Sequence, residues 1–498
     1  MTTATERVDV VIVGAGLSGI GAAWHLQQHC PEHGYLILEA RDAIGGTWDL
    51  FRYPGIRSDS DMHTLGYKFR PWRDGKAIAD GPAIRSYVRD TAREGGIDSH
   101  IRFSQRLLEA HWDSGAAEWR LVIEDGKRGG QRELRAGFLL MCAGYYRYDR
   151  GHTPDYPGRD DYRGTFIHPQ FWPEELAYAG KRVVVIGSGA TAMTLVPALA
   201  EKAAEVVMLQ RSPTWVISRP ARDRLANALR AFLPDTWAYA LTRLKNTALQ
   251  QWFYRRSREA PEKVRRVLLR RLRKALGPGY DVARHFTPSY NPWDQRLCLV
   301  PDGDLFEVLR AGRARVVTDT IERLTEGGVR LTSGEELPAD IIVSATGLEV
   351  EVLGGVRFSV DGEPVDFART WTYKGIMCSG VPNLVSVFGY INASWTLRAD
   401  LTAEWACRLL KHLDTNGFAA ATPTLPAALA TMPARDWIDD FSPGYLARVM
   451  HRFPRQGDRA PWVNPQDYRA DRALFLEAPI DDDALIFSRA DRGADRAA

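Results

Sequence analysis

Two glycine fingerprints constrain the fold more than any other feature of the sequence. Gly14-Ala15-Gly16-Leu17-Ser18-Gly19 follows the apolar run Val8–Val13 and opens a helical pattern. Gly187-Ser188-Gly189-Ala190-Thr191-Ala192 follows 182–186 in the same way, with Ala192 in the place of the third glycine. The order strand, glycine loop, helix is typical of dinucleotide-binding units. The sequence therefore predicts an α/β protein with two Rossmann-like units.

The first unit has the features expected for FAD. A second strand pattern, Tyr35–Leu38, ends at Glu39, whose carboxylate is placed to accept hydrogen bonds from a ribose. The loop Gly46-Thr47-Trp48 follows soon after. Such a loop suits FAD, because the isoalloxazine lies further from the first fingerprint than a nicotinamide would. The predicted FAD-binding residues are Gly14, Gly16, Ser18, Gly19, Glu39, Gly46, Thr47, Trp48 and Asp59.

The second unit has a cation where the first has an acid. Its second strand pattern, Val206–Leu209, leads to Arg211 and Ser212. A guanidinium binds a 2′-phosphate through two hydrogen bonds, so this unit is predicted to bind NADPH rather than NADH. A surface arginine without a ligand is the alternative. The predicted NADPH-binding residues are Gly187, Ser188, Gly189, Ala190, Thr191, Arg211 and Ser212.

Composition excludes several other classes of protein. The five cysteines are scattered without a Cys-x-x-Cys pair, which excludes a disulfide reductase and offers no metal site. The net charge of +3 over 498 residues predicts no nucleic-acid partner. With no signal-peptide pattern and reduced thiols, the protein is expected in the cytoplasm.

Residues 219–286 differ from the rest because they combine leucine-rich helical patterns with many cations. We interpret them as a helical insertion in the second unit. A solvated charged face is one interpretation of the cations, and peripheral contact with an anionic membrane is the other. The expected division is then 1–150 and 377–498 for the FAD-binding domain, 151–218 and 287–376 for the NADPH-binding domain, and 219–286 for the insertion.

The linker between the two units carries a family motif. Tyr162-x-Gly164-x-x-x-His168-x-x-x-Trp172-Pro173, flanked by the two fingerprints, resembles the Baeyer–Villiger monooxygenases, a branch of the class B flavoprotein monooxygenases. The motif usually begins with Phe, where this chain has Tyr162. The segments 291–301 and 392–401 are most similar to the bacterial subgroup that contains the ethionamide-activating monooxygenase.

The resemblance implies a reaction and three catalytic candidates. NADPH reduces FAD, O2 adds at flavin C4a, and the peroxyflavin attacks a ketone to give an ester or lactone, with sulfides as further substrates. Alignment makes Arg296 the fixed cation for the negative oxygen, oriented by Asp59. A surface ion pair is the alternative for Arg296. His168 is either an acid–base group or, more consistent with its linker position, a residue that couples domain rotation to cofactor position.

Two other activities remain open on the sequence. An N- or S-oxygenase would use the protonated hydroperoxyflavin on a soft nucleophile. A redox flavoprotein without a ketone substrate would act as an NADPH oxidase and release H2O2. The coupling of NADPH consumption to product distinguishes an oxygenase from an oxidase.

Overall fold

Two sheets, one mixed and one parallel, form the framework in a computed structural model that describes residues 6–439 and 443–490. In the first sheet, four parallel strands lie in the order 3-2-1-4, and an antiparallel extension continues beyond the fourth. The strands across the sheet are Ile101–Phe103, Tyr35–Glu39, Glu6–Val13, Gln131–Met141, Glu118–Asp125, Gln105–Asp113, Arg357–Val360 and Glu363–Pro364, while Leu384–Ser386 also pairs with Gln131–Met141.

The second sheet has five strands and is parallel throughout. Its strands across the sheet are Ala314–Thr318, Glu205–Gln210, Arg182–Ile186, Ile341–Ser344 and Thr165–Ile167. Val183–Ile186 and Ile341–Ser344 are buried along their whole length. Helices cover both faces of such a sheet, which explains why these strands are continuously apolar rather than alternating.

Smaller strand pairs connect these sheets and close the surface. They are Val216–Arg219 with Cys298–Pro301, Tyr146–Gly151 with Leu348–Val350, Ile321–Thr325 with Gly328–Leu331 and Glu336–Pro338, Thr372–Tyr373 with Met377–Cys378, and Ala420–Pro423 with Leu485–Ser488. The α-helices are Leu17–His29, Thr47–Leu50, Met62–Leu65, Gly81–Glu94, Ala190–Leu199, Arg224–Phe232, Asp235–Glu259, Pro261–Leu276, Val282–Phe286, Asp304–Arg310, Trp395–Asn416, Gly444–Ala447 and Tyr468–Arg472.

The predicted α/β class is confirmed, and residues 219–286 contain four helices as expected. The longest of these, Asp235–Glu259, lies against the segment that follows Asp59. Arg243 donates hydrogen bonds to the carbonyls of His63 and Gly66 at 3.0 and 2.7 Å. The insertion is thus held to the first unit by polar contacts.

One boundary differs from the expected division. Arg357–Val360 pairs in parallel with Gln105–Asp113, so the chain rejoins the first sheet before residue 377. A four-residue strand has too little pattern for the sequence to reveal it. No helix within the described ranges is both long and apolar enough to cross a membrane.

Candidate active site

A cavity of about 810 Å³ lies where the two fingerprints meet, and both units line it. Each sheet contributes the loops at the carboxyl ends of its strands, where open α/β sheets bind ligands. Of the predicted residues, the cavity is lined by Gly14, Gly16, Ser18, Glu39, Gly46, Thr47, Trp48, Asp59, Gly189, Ala190, Thr191 and Arg296. Gly19, His168, Gly187, Ser188, Arg211 and Ser212 lie outside this lining.

The first fingerprint forms a tight turn into an uncapped helix. Gly14 has φ +104°, and a Cβ on Gly19 would overlap the carbonyl oxygen of Gly14. Leu17–His29 begins without a side-chain cap, so its first N–H groups remain available at the cavity. Ser18 accepts a hydrogen bond from Trp395 Nε1 at 2.8 Å. This geometry suits a pyrophosphate at the helix N-terminus.

Glu39 is buried beside the same loop. Its carboxylate accepts hydrogen bonds from the backbone N–H groups of Ala15 and Arg41, at 2.7 and 2.9 Å. Burial raises the pKa of the Glu39 carboxyl above its ordinary value, against the lowering effect of these two bonds. The bonds fix the direction in which the carboxylate faces the cavity.

The loop of Gly46, Thr47 and Trp48 is anchored by one buried carboxylate. Asp49 is 1% exposed and pairs with Arg41 and Arg89 at 2.7 and 3.0 Å. The guanidinium groups of Arg52 and Arg85 lie 3.6 Å away. This cluster holds the loop beneath the cavity.

The second fingerprint repeats the backbone geometry of the first. Gly187 has φ +135°, and Ala190–Leu199 begins without a side-chain cap. Ser188 Oγ lies 2.8 Å from Thr214 Oγ1 and donates to the carbonyl of Ser212 at 3.0 Å. Arg211 and Ser212 are exposed beside this loop.

Arg296 and Asp59 meet in the cavity although they lie far apart in the chain. Arg296 Nε is 3.2 Å from Asp59 Oδ2. Burial favours the neutral form of Arg296, but Asp59 and the neighbouring tyrosines outweigh it, so the pKa of Arg296 lies above its ordinary value. Arg296 is therefore a permanent cation, and the Asp59 carboxylate holds it on the wall of the cavity.

Three tyrosines around Arg296 were missed by the sequence reasoning. Tyr445 lies beside Arg296 and Tyr145, and the hydroxyls of Tyr145 and Tyr146 share a hydrogen bond. Burial raises the pKa of all three hydroxyls, so they stay protonated at neutral pH. For Tyr145 and Tyr146, the available sequence signal was their position directly after Ala143-Gly144, where a strand ends. No feature of the sequence pointed to Tyr445.

His168 lies outside the cavity lining, at the junction of the two units. Its Nε2–H donates to the carbonyl of Gly347 at 2.9 Å, and its Nδ1 accepts from the N–H of Gln170 at 3.2 Å. Burial lowers the pKa of the imidazole, which favours this neutral form. Both ring nitrogens are therefore engaged by backbone groups.

The two units also touch directly beside Asp59. Tyr53 lies beside Thr191, and a Cβ on Gly55 would approach the carbonyl oxygen of Thr194 to 2.9 Å. Arg57 forms an ion pair with Asp304. Residues 53–59 are thus locked against the second unit, which fixes where Asp59 stands.

Comparisons with known proteins agree with this arrangement. A family model for flavin-binding monooxygenase-like proteins matches residues 78–261, and one for an NAD(P)-binding Rossmann-like domain matches residues 12–74. The chain is 51% identical to the FAD-containing monooxygenase EthA of Mycolicibacterium smegmatis, over 97% of this chain and 98% of that protein. It is 47% identical to the probable FAD-binding monooxygenase AlmA of Acinetobacter baylyi, over 97% of each.

Solved structures share the fold at lower identity. A steroid monooxygenase bound to NADP superposes with a TM-score of 0.79 at 24% identity, over 97% of this chain and 100% of that chain. Cyclohexanone monooxygenase from Rhodococcus sp. Phi1 gives 0.76 at 20% identity, over 98% and 100%. On the identity to its full-length relatives, the chain belongs to the family of FAD-containing, flavin-binding monooxygenase-like proteins.

Proposed function

We propose that this protein is an FAD- and NADPH-dependent Baeyer–Villiger monooxygenase that converts ketones and O2 to esters or lactones and also oxidises sulfides. The observation that carries the proposal is the pair of Arg296 and Asp59 in the cavity that both fingerprints line. A redox flavoprotein without an oxygenation step has no need for a fixed cation there.

The residues present fit both cofactors. Two helices that begin without side-chain caps meet at one cavity, which provides for two pyrophosphates. Buried Glu39 would hold the ribose of FAD, and exposed Arg211 would hold the 2′-phosphate of NADPH. The flavin, when bound, supplies the redox and oxygen chemistry.

The side chains of the protein supply charge and orientation. Arg296 keeps its proton at any working pH and stabilises the negative oxygen that develops next to the ketone carbon. Asp59 holds the guanidinium and Tyr445 lies beside it, which limits the reorganisation needed during reaction. We assign His168 a positioning role, because neither of its nitrogens is available to move a proton.

The test is to separate flavin reduction from oxygenation in Arg296→Ala and Arg296→Lys. We expect NADPH to reduce the flavin at the normal rate in both, while ester formation from a ketone falls on the order of a hundred- to a thousandfold in Arg296→Ala. Arg315→Ala, which removes only exposed ion pairs with Glu205 and Glu335, is the matched control. Ester formation by Arg296→Ala at a normal rate would reject the assigned role.

Substrate class is tested by product analysis. The wild-type enzyme is supplied with NADPH and linear, cyclic and aryl ketones or thioethers, and products are identified by mass. One ester per NADPH supports Baeyer–Villiger oxidation. Oxidised thioethers without any ester support the S-oxygenase alternative, and H2O2 without either product supports the oxidase.

A further inference from the structure

The exposed apolar side chains of the protein are concentrated in the helical insertion. Eleven large apolar side chains are exposed among the described residues, and nine of them lie between residues 225 and 267. The most exposed are Phe232 at 87%, Leu244 at 68%, Trp237 at 67% and Trp252 at 58%. A concentration of this kind marks an interaction surface, whereas single exposed apolar residues are ordinary.

On the helix Asp235–Glu259 these side chains form a continuous line, which we call the outer stripe. The stripe consists of Trp237, Leu241, Leu244, Ala248 and Trp252, all exposed. Their spacing of three or four residues places them on one side of the helix. Arg255 continues the line and is also exposed.

The opposite side of the same helix is buried and polar. Arg243 bonds backbone carbonyls at residues 63–66, and Asn246 Nδ2 donates to Asp61 Oδ1 at 2.9 Å. Gln250 Nε2 donates to Asp61 Oδ2 at 3.1 Å. The contacts of its polar face therefore fix the helix, and they leave the outer stripe facing away from the protein.

The insertion that carries the stripe is also rich in cations. Residues 219–286 contain seventeen Arg and Lys against five Asp and Glu, although the whole chain has a net charge of only +3. On the next helix, Lys263, Arg266, Arg270 and Arg273 are exposed at the same three- and four-residue spacing. None of these four has an acidic partner within 4.0 Å in the part of the chain that the structure describes. The insertion thus exposes an apolar stripe on one helix and a row of cations on the helix that follows it.

We propose that residues 224–276 dock the enzyme on the surface of an anionic phospholipid bilayer. Tryptophan and leucine on one side of a helix enter the headgroup region, and arginine and lysine pair with lipid phosphates. A second copy of the chain would bring cations against cations. A nucleic acid would pair with the cations but leave the apolar stripe in water.

The test is flotation of the full-length holoenzyme with vesicles of phosphatidylglycerol and phosphatidylcholine, compared with phosphatidylcholine alone. We expect the wild type to float with the anionic vesicles and to remain behind with the neutral ones. Added salt should release it, because the cationic contribution is screened.

Two variants separate the apolar and cationic contributions. Trp237→Gln/Leu244→Gln/Trp252→Gln should weaken vesicle partitioning at least tenfold, because each exposed apolar side chain contributes on insertion. Arg266→Gln/Arg270→Gln/Arg273→Gln should weaken it on the order of a hundredfold. Leu244→Gln and Ile486→Gln form a matched pair, since Ile486 is 53% exposed outside the insertion and its replacement should change nothing. Flavin content and melting temperature of each variant verify that it is folded.

Other outcomes overturn the proposal. If the wild type stays at the bottom of the gradient with anionic vesicles, the surface does not bind lipid. If it instead forms a larger species in light scattering that the triple Gln variant of the stripe disperses, the stripe is a contact between copies. Equal flotation of the wild type and both triple variants places any lipid contact elsewhere on the protein.

Discussion

Gly151 is the residue whose replacement most directly tests how the two units are joined. It ends the strand Tyr146–Gly151, and a Cβ at this position would overlap the ring of His168. The ring is held by its bonds to Gly347 and Gln170, so it cannot swing away without breaking both. We predict that Gly151→Ala destabilises the protein through this single contact.

The size of the effect follows from the added methyl group and from the two hydrogen bonds that it would displace. Forcing an extra methyl group into a packed site costs about 1–3 kcal/mol. The two His168 hydrogen bonds contribute about 0.5–1.5 kcal/mol each. The free energy of unfolding should therefore fall by about 2–6 kcal/mol. With an unfolding entropy of about 2 cal/mol/K per residue, a cooperative melt of the whole chain would shift by about 2–6 °C.

The assay is thermal melting of the holoenzyme, followed by flavin fluorescence, in a double-mutant cycle. His168→Ala removes the ring, so Gly151→Ala should cost less than about 1 kcal/mol in that background. Gly327→Ala is the matched control, because a Cβ there meets nothing within 4 Å and the residue lies outside the left-handed region. If Gly151→Ala melts like Gly327→Ala, or costs the same with and without His168, the assigned contact does not join the units.

Three further predictions concern single residues. Arg211→Asp should lower the preference for NADPH over NADH at least tenfold in kcat/KM, because it replaces the cation with an acid; unchanged preference would show that another residue reads the 2′-phosphate. Tyr445→Phe should slow ester formation about tenfold with flavin reduction unchanged, because Arg296 loses a neighbouring hydroxyl group; equal rates in a single-turnover assay would contradict this. The imidazole of His168 has a lowered pKa in the fold, so its contribution to stability is complete above the ordinary value of 6.5 and is lost as pH falls through the folded value. The fall in melting temperature between pH 7.5 and 5.5 should therefore be smaller in His168→Gln than in the wild type, and an identical fall would contradict the assignment.

The sequence was sufficient to predict the structure where the residues that determine it lie close together in the chain. Each fingerprint directly follows its strand and opens its helix, and Arg182–Ile186 has the bounds that its pattern predicts. Contacts between distant segments had no such signal. Tyr445 meets Arg296 from a remote part of the chain, and no spacing indicates the approach of Gly151 to His168.

The insertion shows a limit of periodicity itself. The line of Trp237, Leu244 and Trp252 has the spacing that ordinarily predicts a helix face turned towards a core. The helix buries Thr242 and Asn246 instead. In this helix, hydrogen bonds to residues 61–66 decide which face is buried. Periodicity therefore identifies an apolar face but does not say what covers it.

The pairing of Asp59 with Arg296 limits how the two nucleotide-binding units can be exchanged between related proteins. The carboxylate comes from the first unit and the guanidinium from the second, and Tyr445 arrives from a third stretch of chain. No contiguous fragment shorter than residues 59–445 contains all three. A chimaera that exchanges one nucleotide unit with that of a distant relative would therefore inherit two halves of a reaction centre shaped for different partners, and such units are expected to diversify together rather than by separate exchange.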